Sequence, residues 1–322
     1  MKAIVYRRYG SPDVLEYEEI EKPTPGDQEV LIKVHAASVN PADWHFLRGR
    51  PYLVRVIVGL RKPKIARLGI DVAGRVEAVG RNVTRFKPGD DVFGSCRGAF
   101  AEYASTRESE LVTKPANVTF EQAASLPVAA LTALQALRKG QIQTGQKVLI
   151  NGAAGGVGTF AVQIAKSFGA DVTGVCSTRN VDMVRSIGAD RVIDYIQEDF
   201  TRSGRRYDLM LDIAGNRSLS ECRRLLTSKG VYVAVGGQVG DWIGPLTAVF
   251  KILLASWVGS QKMIPILAKP NKEDLTFVRG LMEAGKLTPV IDRRYRLSEI
   301  PDAIRYLEAG HARGKVVITL EA

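Results

Sequence analysis

Residues 147–180 read KVLINGAAGGVGTFAVQIAKSFGADVTGVCSTRN, and the reading of this stretch decides the fold. Val148, Leu149 and Ile150 form an apolar, largely β-branched run of the kind that builds a strand buried on both faces of a parallel sheet. A glycine-rich turn follows at once, from Gly152 through Ala153, Ala154, Gly155, Gly156 and Val157 to Gly158. Phe160, Ala161, Ile164, Ala165 and Phe168 then recur at helical spacing, Gly169 stands as the C-cap, and a second strand runs from Asp171 to Cys176. In such a strand, turn, helix, strand unit, glycines let the backbone approach a pyrophosphate, and the helix N-terminus stabilises its charge. A tight turn without a ligand would use the same glycines, but the complete βαβ context favours phosphate.

The tip of the second strand narrows the ligand. A site for NAD places an Asp or Glu roughly 20 residues past the glycines, where it accepts hydrogen bonds from the adenosine ribose. Here the tip reads Cys176-Ser177-Thr178-Arg179-Asn180, with no acid. Two hydroxyls, a guanidinium and an amide suit a 2′-phosphate instead, because Arg bonds phosphate oxygens through charge-assisted, often bidentate contacts. NADPH is therefore the expected cofactor. A solvated Arg and an N-cap for the helix beginning near Val181 would read the same way locally.

The 322 residues leave room for two ordinary domains, and 45% hydrophobic with 25% charged residues is a globular composition. The formal charge of +11 is spread over short clusters, at Arg7-Arg8, Arg48 to Lys64, Arg202 to Arg206 and Arg293 to Arg296. No basic stripe interleaved with aromatics appears, so nucleic acid is not an expected partner. Three cysteines without CxxC spacing fit a reducing compartment rather than a disulfide framework or structural zinc. Met1 to Tyr6 leads straight into an alternating strand, without the features of a signal or transit peptide, so a cytoplasmic protein is expected. The apolar stretch Trp242 to Ile266 is interrupted by Pro245, Lys251, Gln261, Lys262 and Pro265, so stable membrane insertion is not expected. It reads first as a buried helix lining the cofactor cleft, with a lid or a peripheral membrane contact as the alternative.

Residues 1 to about 122 read as a β-rich domain, with strands at Lys2 to Tyr6, Leu15 to Ile20, Val30 to Val39, Gly69 to Val79, Asp90 to Phe93 and Ala101 to Ser105. Short strands at this spacing imply a barrel or sandwich. Helical segments follow at Glu121 to Ser125 and from Pro127 through Leu137. Beyond the glycine-rich unit, helices at Val181 to Ile187 and Leu219 to Leu226 alternate with strands at Arg191 to Tyr195, Tyr207 to Ile213 and Gly230 to Val235. That alternation predicts a doubly wound parallel sheet, whose ligands lie past the turns after Ile150, Val175, Ile193, Ile213 and Val235. The tail carries a helix from Lys272 to Ala284, strand-like pieces near Val290-Ile291 and Tyr295 to Leu297, a helix from Ile300 to Glu308 and a strand from Lys315 to Leu320.

The motifs GAAGGVG, SIGADRVIDY and VAVGG, with AASVNPADW at 36–44, GIDVAGRVEAVG at 69–80, FKPGDDVFG at 86–94, LPVAALTALQAL at 126–137 and HARGKVVITL at 311–320, run in order along nearly the whole chain. With them the sequence resembles the medium-chain dehydrogenase/reductase superfamily, and within it the zinc-free quinone oxidoreductase and enone reductase branch. The resemblance implies an α/β fold of two parts. A GroES-like β-barrel domain would comprise residues 1–122 and 270–322, with a Rossmann doubly wound parallel sheet domain, residues 123–269, inserted between them. It further implies an enzyme that moves a hydride from NADPH to a quinone or α,β-unsaturated carbonyl. A zinc-free alcohol or enoyl-thioester reductase and a non-catalytic dinucleotide-binding protein are the alternatives.

Zinc-dependent members of the superfamily ligate the metal with a Cys in the first loop and a His-Glu pair in the second. Here those places read Ser38-Val39-Asn40 and Gly69-Ile70-Asp71, and the chain holds only three His, at 35, 45 and 311. No tetrahedral set of N and S ligands can be assembled, so no metal is expected. Carried over by motif, the resemblance puts Asn40 and Asp43 near the nicotinamide and substrate, with Tyr52 on the opposite wall. Thr132 would meet the carboxamide. Ala154, Gly155, Gly156, Val157 and Gly158 would cradle the pyrophosphate, and Ser177, Thr178, Arg179 and Asn180 the 2′-phosphate. Tyr195 would flank the adenosine, Ala214 and Gly236 the nicotinamide side, and Lys315 would add a cofactor contact. Blander readings make Asn40 a turn cap, Asp43 a partner of Arg48, Tyr52 a core aromatic and Lys315 a solvated strand-edge lysine. The expected substrate is a small apolar carbonyl or quinone, and the expected assembly a monomer or homodimer, with a strand near Trp257 to Met263 available for pairing.

Overall fold

The structure is a computed structural model, and it describes residues 1–236, 250, 252 and 260–320. The chain divides into two compact units, Met1–Leu131 with Pro270–Ala322, and Thr132–Lys269. The first unit extends past the expected limit at residue 122. It takes in the helix Phe120–Ala124, which packs on the strands Glu29–Val39 and Asp71–Val79, and Val128, whose N–H is bound by Asp71.

Numbering strands along the chain, β1 (Lys2–Val5) and β2 (Glu16–Glu19) form a small antiparallel pair. The main sheet of the first unit contains β3 (Glu29–Val39), β4 (Asp71–Val79), β5 (Asp91–Ser95), β6 (Tyr103–Arg107) and β7 (Leu111–Thr113). Two strands from the far end of the sequence, β14 (Ile291–Arg296) and β15 (Lys315–Thr319), complete it in the order β14-β15-β3-β4-β5-β7, with β6 also on β3. β15 lies antiparallel to the second half of β3, pairing Val316 with Val39 and Thr319 with Ala36. Alternating apolar side chains drive this closure, as Ile32, Val34, Val72, Val92, Val316 and Ile318 all enter one buried core. The pieces expected near 290–291 and 295–297 are one strand, β14. Its sequence, IDRRYR, hides the alternation because half of its residues are exposed and none is buried.

Helix α1 (Pro41–Arg48) follows β3, and the short α2 (Val54–Val58) follows it. Neither was expected, since proline at 41 and a mixed polar and aromatic pattern blur the helical period. Pro41 is favourable where it stands, at the first helical turn.

The second unit is a six-stranded parallel sheet in the order β10-β9-β8-β11-β12-β13. Its strands are β8 (Lys147–Asn151), β9 (Asp171–Cys176), β10 (Arg191–Asp194), β11 (Tyr207–Asp212), β12 (Leu226–Ala234) and β13 (Lys262–Pro265). α5 (Gly156–Ser167) connects β8 to β9, as the glycine-rich stretch requires, and Gly169 takes a φ of 78° just past its end. The reversal of strand order between β8 and β11 puts the turn after β8 at the topological switch point, where such sheets bind ligands. Most of the apolar stretch 242–266 lies outside the described residues; its described end contributes the edge strand β13.

Candidate functional site

Functional side chains gather in two places, one in each unit. In the first unit, the ends of β3, β4 and β15 converge. Ser38 and Asp71 are register partners between β3 and β4, and Lys315 opens β15 beside them. The Lys315 ammonium donates to Asn40 Oδ1 at 2.6 Å and to Asp71 Oδ2 at 3.3 Å. Asp71 Oδ2 also accepts from Ser38 Oγ at 2.6 Å and Asn40 Nδ2 at 2.8 Å, while its Oδ1 accepts from the Val128 N–H at 2.9 Å. Ser38, Asn40, Asp71 and Lys315 are all buried, Lys315 being only 3% exposed. Lys315 is thus no solvated edge lysine, and Asn40 does more than cap a turn.

Asp43, fully buried, sits one helical turn into α1. Its carboxylate oxygens accept from the backbone N–H groups of Asn40 at 2.8 Å and Gly69 at 3.0 Å, so it ties β3, α1 and the approach to β4 together. Burial raises its pKa to about 7, against the opposing pull of those N–H donors. It does not pair with Arg48, which is held instead by Glu308 of α9 (Ile300–Glu308). Tyr52 is half-buried, with the Arg55 guanidinium 4.8 Å from its ring centre.

His35 stacks on Phe120 with ring centres 4.4 Å apart, and the His45 ring nitrogen lies 2.8 Å from the Arg50 carbonyl oxygen. Cys96 is buried, and burial with the nearby Asp71 charge pushes its thiol up. Among the described residues no group of three His, Cys, Asp or Glu could hold a metal ion. A zinc site does not fit here on the chemistry of its donors: the oxygens of Asn40 and Asp71 that would face a cation already hold the Lys315 ammonium.

In the second unit the glycine turn has the close backbone contacts that its sequence implies. Gly152 has φ 91°, in the region open to glycine. A Cβ on Gly158 would stand 2.1 Å from the Gly152 carbonyl oxygen, so only glycine lets the first turn of α5 pack on the β8 loop. At Gly155 a Cβ would meet nothing nearer than 3.7 Å, which leaves open the space before the helix N-terminus. The first-turn N–H groups of a helix lack partners within it, so this open, glycine-lined terminus fits a pyrophosphate. Ala154 and Gly158 are buried, and Gly155, Gly156 and Val157 are half-buried.

At the tip of β9, the Asn180 amide donates to Ser177 Oγ at 3.1 Å, while Thr178 and Arg179 are exposed. Asn180 is buried, so the tip offers a hydroxyl held in place. Tyr195, Ala214 and Gly236 are exposed after β10, β11 and β12, and Thr132 is half-buried in α4 (Pro127–Lys139).

A network absent from the sequence reading braces these turns. Asp212, fully buried at the end of β11, accepts from Asn151 Nδ2 at 2.8 Å, the Gly215 N–H at 2.9 Å and the Tyr232 hydroxyl at 2.8 Å. Burial, then the Asp212 charge, raises the Tyr232 pKa, so the phenol stays a donor. Asn151 Nδ2 also donates to Asn216 at 3.0 Å. One carboxylate thus joins the ends of β8, β11 and β12 at the edge where ligands of parallel sheets bind. Its sequence signal was faint: an Asn and an Asp each closing an apolar strand.

Two family models match the chain, the alcohol dehydrogenase GroES-like domain over residues 26–116 and the zinc-binding dehydrogenase over residues 187–318. A chloroplast envelope quinone oxidoreductase homolog of Arabidopsis thaliana is 37% identical, covering 99% of this chain and 98% of that protein. An NADPH-dependent alkenal/one oxidoreductase, chloroplastic, of the same plant is 35% identical over 99% of this chain and 79% of that one. Among solved structures, the quinone oxidoreductase from Coxiella burnetii superposes with a TM-score of 0.89 at 33% identity, covering 100% of this chain and 99% of that one. The fold and the two sites therefore define a medium-chain dehydrogenase/reductase, built from a GroES-like unit and a Rossmann unit. Within that superfamily the chain belongs to the quinone oxidoreductase family.

Proposed function

We propose that the protein is an NADPH-dependent oxidoreductase acting on a quinone or an α,β-unsaturated carbonyl, without zinc. The observation that carries this reading is the glycine-lined N-terminus of α5, set at the switch point of the sheet and followed by an acid-free tip at β9. Gly155, Gly156, Val157 and Gly158 with Ala154 hold the pyrophosphate in this reading. Ser177, Thr178, Arg179 and Asn180 hold the 2′-phosphate. Thr132, Tyr195, Ala214 and Gly236 flank the rest of the dinucleotide.

When bound, NADPH supplies the hydride, and the chain's own residues orient the acceptor, exclude water and deliver a proton. Asn40 cannot lend its amide hydrogens to a substrate without breaking its bonds to Asp71 and the Ser38 carbonyl. With Asp43 and Lys315 we therefore assign it a positioning role, fixing the ends of β3, β4 and β15. Tyr52, half-buried in the same unit, is assigned as donor to the developing oxyanion. The buried, reduced cysteines suit a reducing compartment such as the cytoplasm, and the protein acts as a monomer or homodimer.

The test is NADPH oxidation with a short enone and with a quinone, each followed to its reduced product. Turnover of either above background is expected. Tight NADPH binding by the folded protein with no turnover of any acceptor would make it a non-catalytic dinucleotide-binding protein.

A further inference from the structure

Between Asp43 and Asp71 the chain contains no acidic residue, yet residues 50–67 carry Arg50, Arg55, Arg61, Lys62, Lys64 and Arg67. These six cations and no acid stand against a net charge of +11 for the whole chain, so over half of the excess sits in eighteen positions. The same segment holds most of the large apolar side chains left exposed in the first unit: Leu53 at 40%, Val56 at 64%, Leu60 at 71% and Ile65 at 38%. Arg61, Lys62 and Lys64 are exposed and make no ion pair among the described residues.

The segment is pinned at its base, which keeps its tip outward. The Tyr9 hydroxyl donates to the Gly59 carbonyl, and the Arg55 guanidinium lies over the rings of Tyr9 and Tyr52 at 4.7 and 4.8 Å. The Lys64 N–H donates to the Val58 carbonyl at 2.8 Å, and Pro63 is buried between exposed neighbours. What remains exposed is a set of cations, Arg61, Lys62 and Lys64, interleaved along the chain with bare Val56, Leu60 and Ile65 side chains. Exposed apolar groups of this kind call for a partner, and the charge selects an anionic one.

We propose that residues 50–67 dock the protein on the surface of a phospholipid membrane bearing acidic headgroups. The lysines and arginines meet the headgroup charge, and Val56, Leu60 and Ile65 enter the boundary between headgroups and acyl chains. The contact is peripheral: no helix among the described residues is long and apolar enough to cross a membrane. Tyr52, within the segment, is assigned to the acceptor site, but the docking contact is made by the exposed residues among 56–65 and needs neither NADPH nor an acceptor.

Co-sedimentation of the full chain with vesicles tests it. Neutral phosphatidylcholine vesicles are compared with vesicles containing about one third phosphatidylserine, at low and at high salt, without cofactor. Binding is expected only to the acidic vesicles and weakens strongly with salt. The triple variant R61E/K62E/K64E loses at least the roughly fivefold per cation that removing charge costs, hence about a hundredfold or more. The pair V56S/L60S weakens binding at high salt. R202E/R206E, in the second unit, binds as the wild type does, and thermal unfolding shows that each variant is folded. Equal binding to neutral vesicles, no binding to acidic ones at low salt, or unchanged binding by the folded triple variant overturns the proposal. So does protection of the segment by coenzyme A without vesicle binding, which would make it a clamp for an anionic substrate tail.

Discussion

Lys315 and Asn40 lie 275 residues apart, yet the lysine ammonium donates to the Asn40 side-chain oxygen at 2.6 Å in a fully buried setting. With Asp71 it forms a buried ion pair, and such pairs matter most when one member is removed. Lys315→Met keeps the bulk of the side chain and leaves the Asp71 carboxylate without its cation. A loss of about 3–5 kcal/mol is expected in urea unfolding. The double variant K315M/D71N loses less than the single one. Equal losses would mean that the lysine acts through packing alone.

Asp43 predicts a pH dependence with a definite sign. Its folded pKa, about 7, lies above the ordinary 3.8, because burial penalises the charged form. The folded state therefore binds a proton that the unfolded state has released. The stability from this group is fully present below about pH 3.8 and is lost as pH rises through about 7. Measured from pH 5 to 8, wild type should lose stability relative to Asp43→Asn steadily up to about pH 7, with no further loss above it. A flat difference would refute the buried, proton-binding carboxyl.

Gly155 and Gly158 separate ligand effects from structural ones. Gly158→Ala drives a Cβ into the Gly152 carbonyl, so it should cost about 1–3 kcal/mol of stability and NADPH binding with it. Gly155→Ala meets open space and keeps the fold, but narrows the cradle; NADPH binding by fluorescence titration should weaken roughly tenfold. If Gly155→Ala binds NADPH normally, the pyrophosphate does not lie against that residue.

Arg179 carries the cofactor preference. A charge-assisted hydrogen bond is worth about 1.5–3 kcal/mol, so Arg179→Ala should raise the KM for NADPH roughly ten- to hundredfold. The KM for NADH should move little. Equal changes for the two cofactors would remove Arg179 from the 2′-phosphate site.

Tyr232→Phe withdraws the hydroxyl from Asp212 and leaves one carboxylate oxygen buried with no donor from that side. A cost of about 1–3 kcal/mol is expected, read from denaturant midpoints. Tyr232→Phe at wild-type stability would show that Asp212 does not brace the turns.

Legibility in the sequence followed the strength of the local pattern. Strand β9 spans Asp171–Cys176 and helix α9 spans Ile300–Glu308, as the sequence reading placed them, because apolar periodicity and a flanking glycine or proline fixed both ends. The glycine turn was legible for the same reason: its residues are neighbours in sequence. The buried network was legible only in part. Asn40 and Lys315 were singled out by motif, but Asp71 was read only as a missing metal ligand. Nothing local says that a lysine opening a strand will be 3% exposed; that follows from where β15 docks. Asp212 and Asn151 were missed because a polar residue closing a strand has the signature of an ordinary turn.

The placement of β15 also sets an order of events during synthesis. All of residues 132–269 leave the ribosome before β14 and β15 exist, so the second unit can close while the first still lacks two strands. Until Lys315 is added, the half of β3 from Ala36 to Val39 has an open edge and Asp71 has no countercharge. The first unit to begin translation is therefore the last to finish folding, and a stalled chain ending before residue 315 would expose that edge to its neighbours.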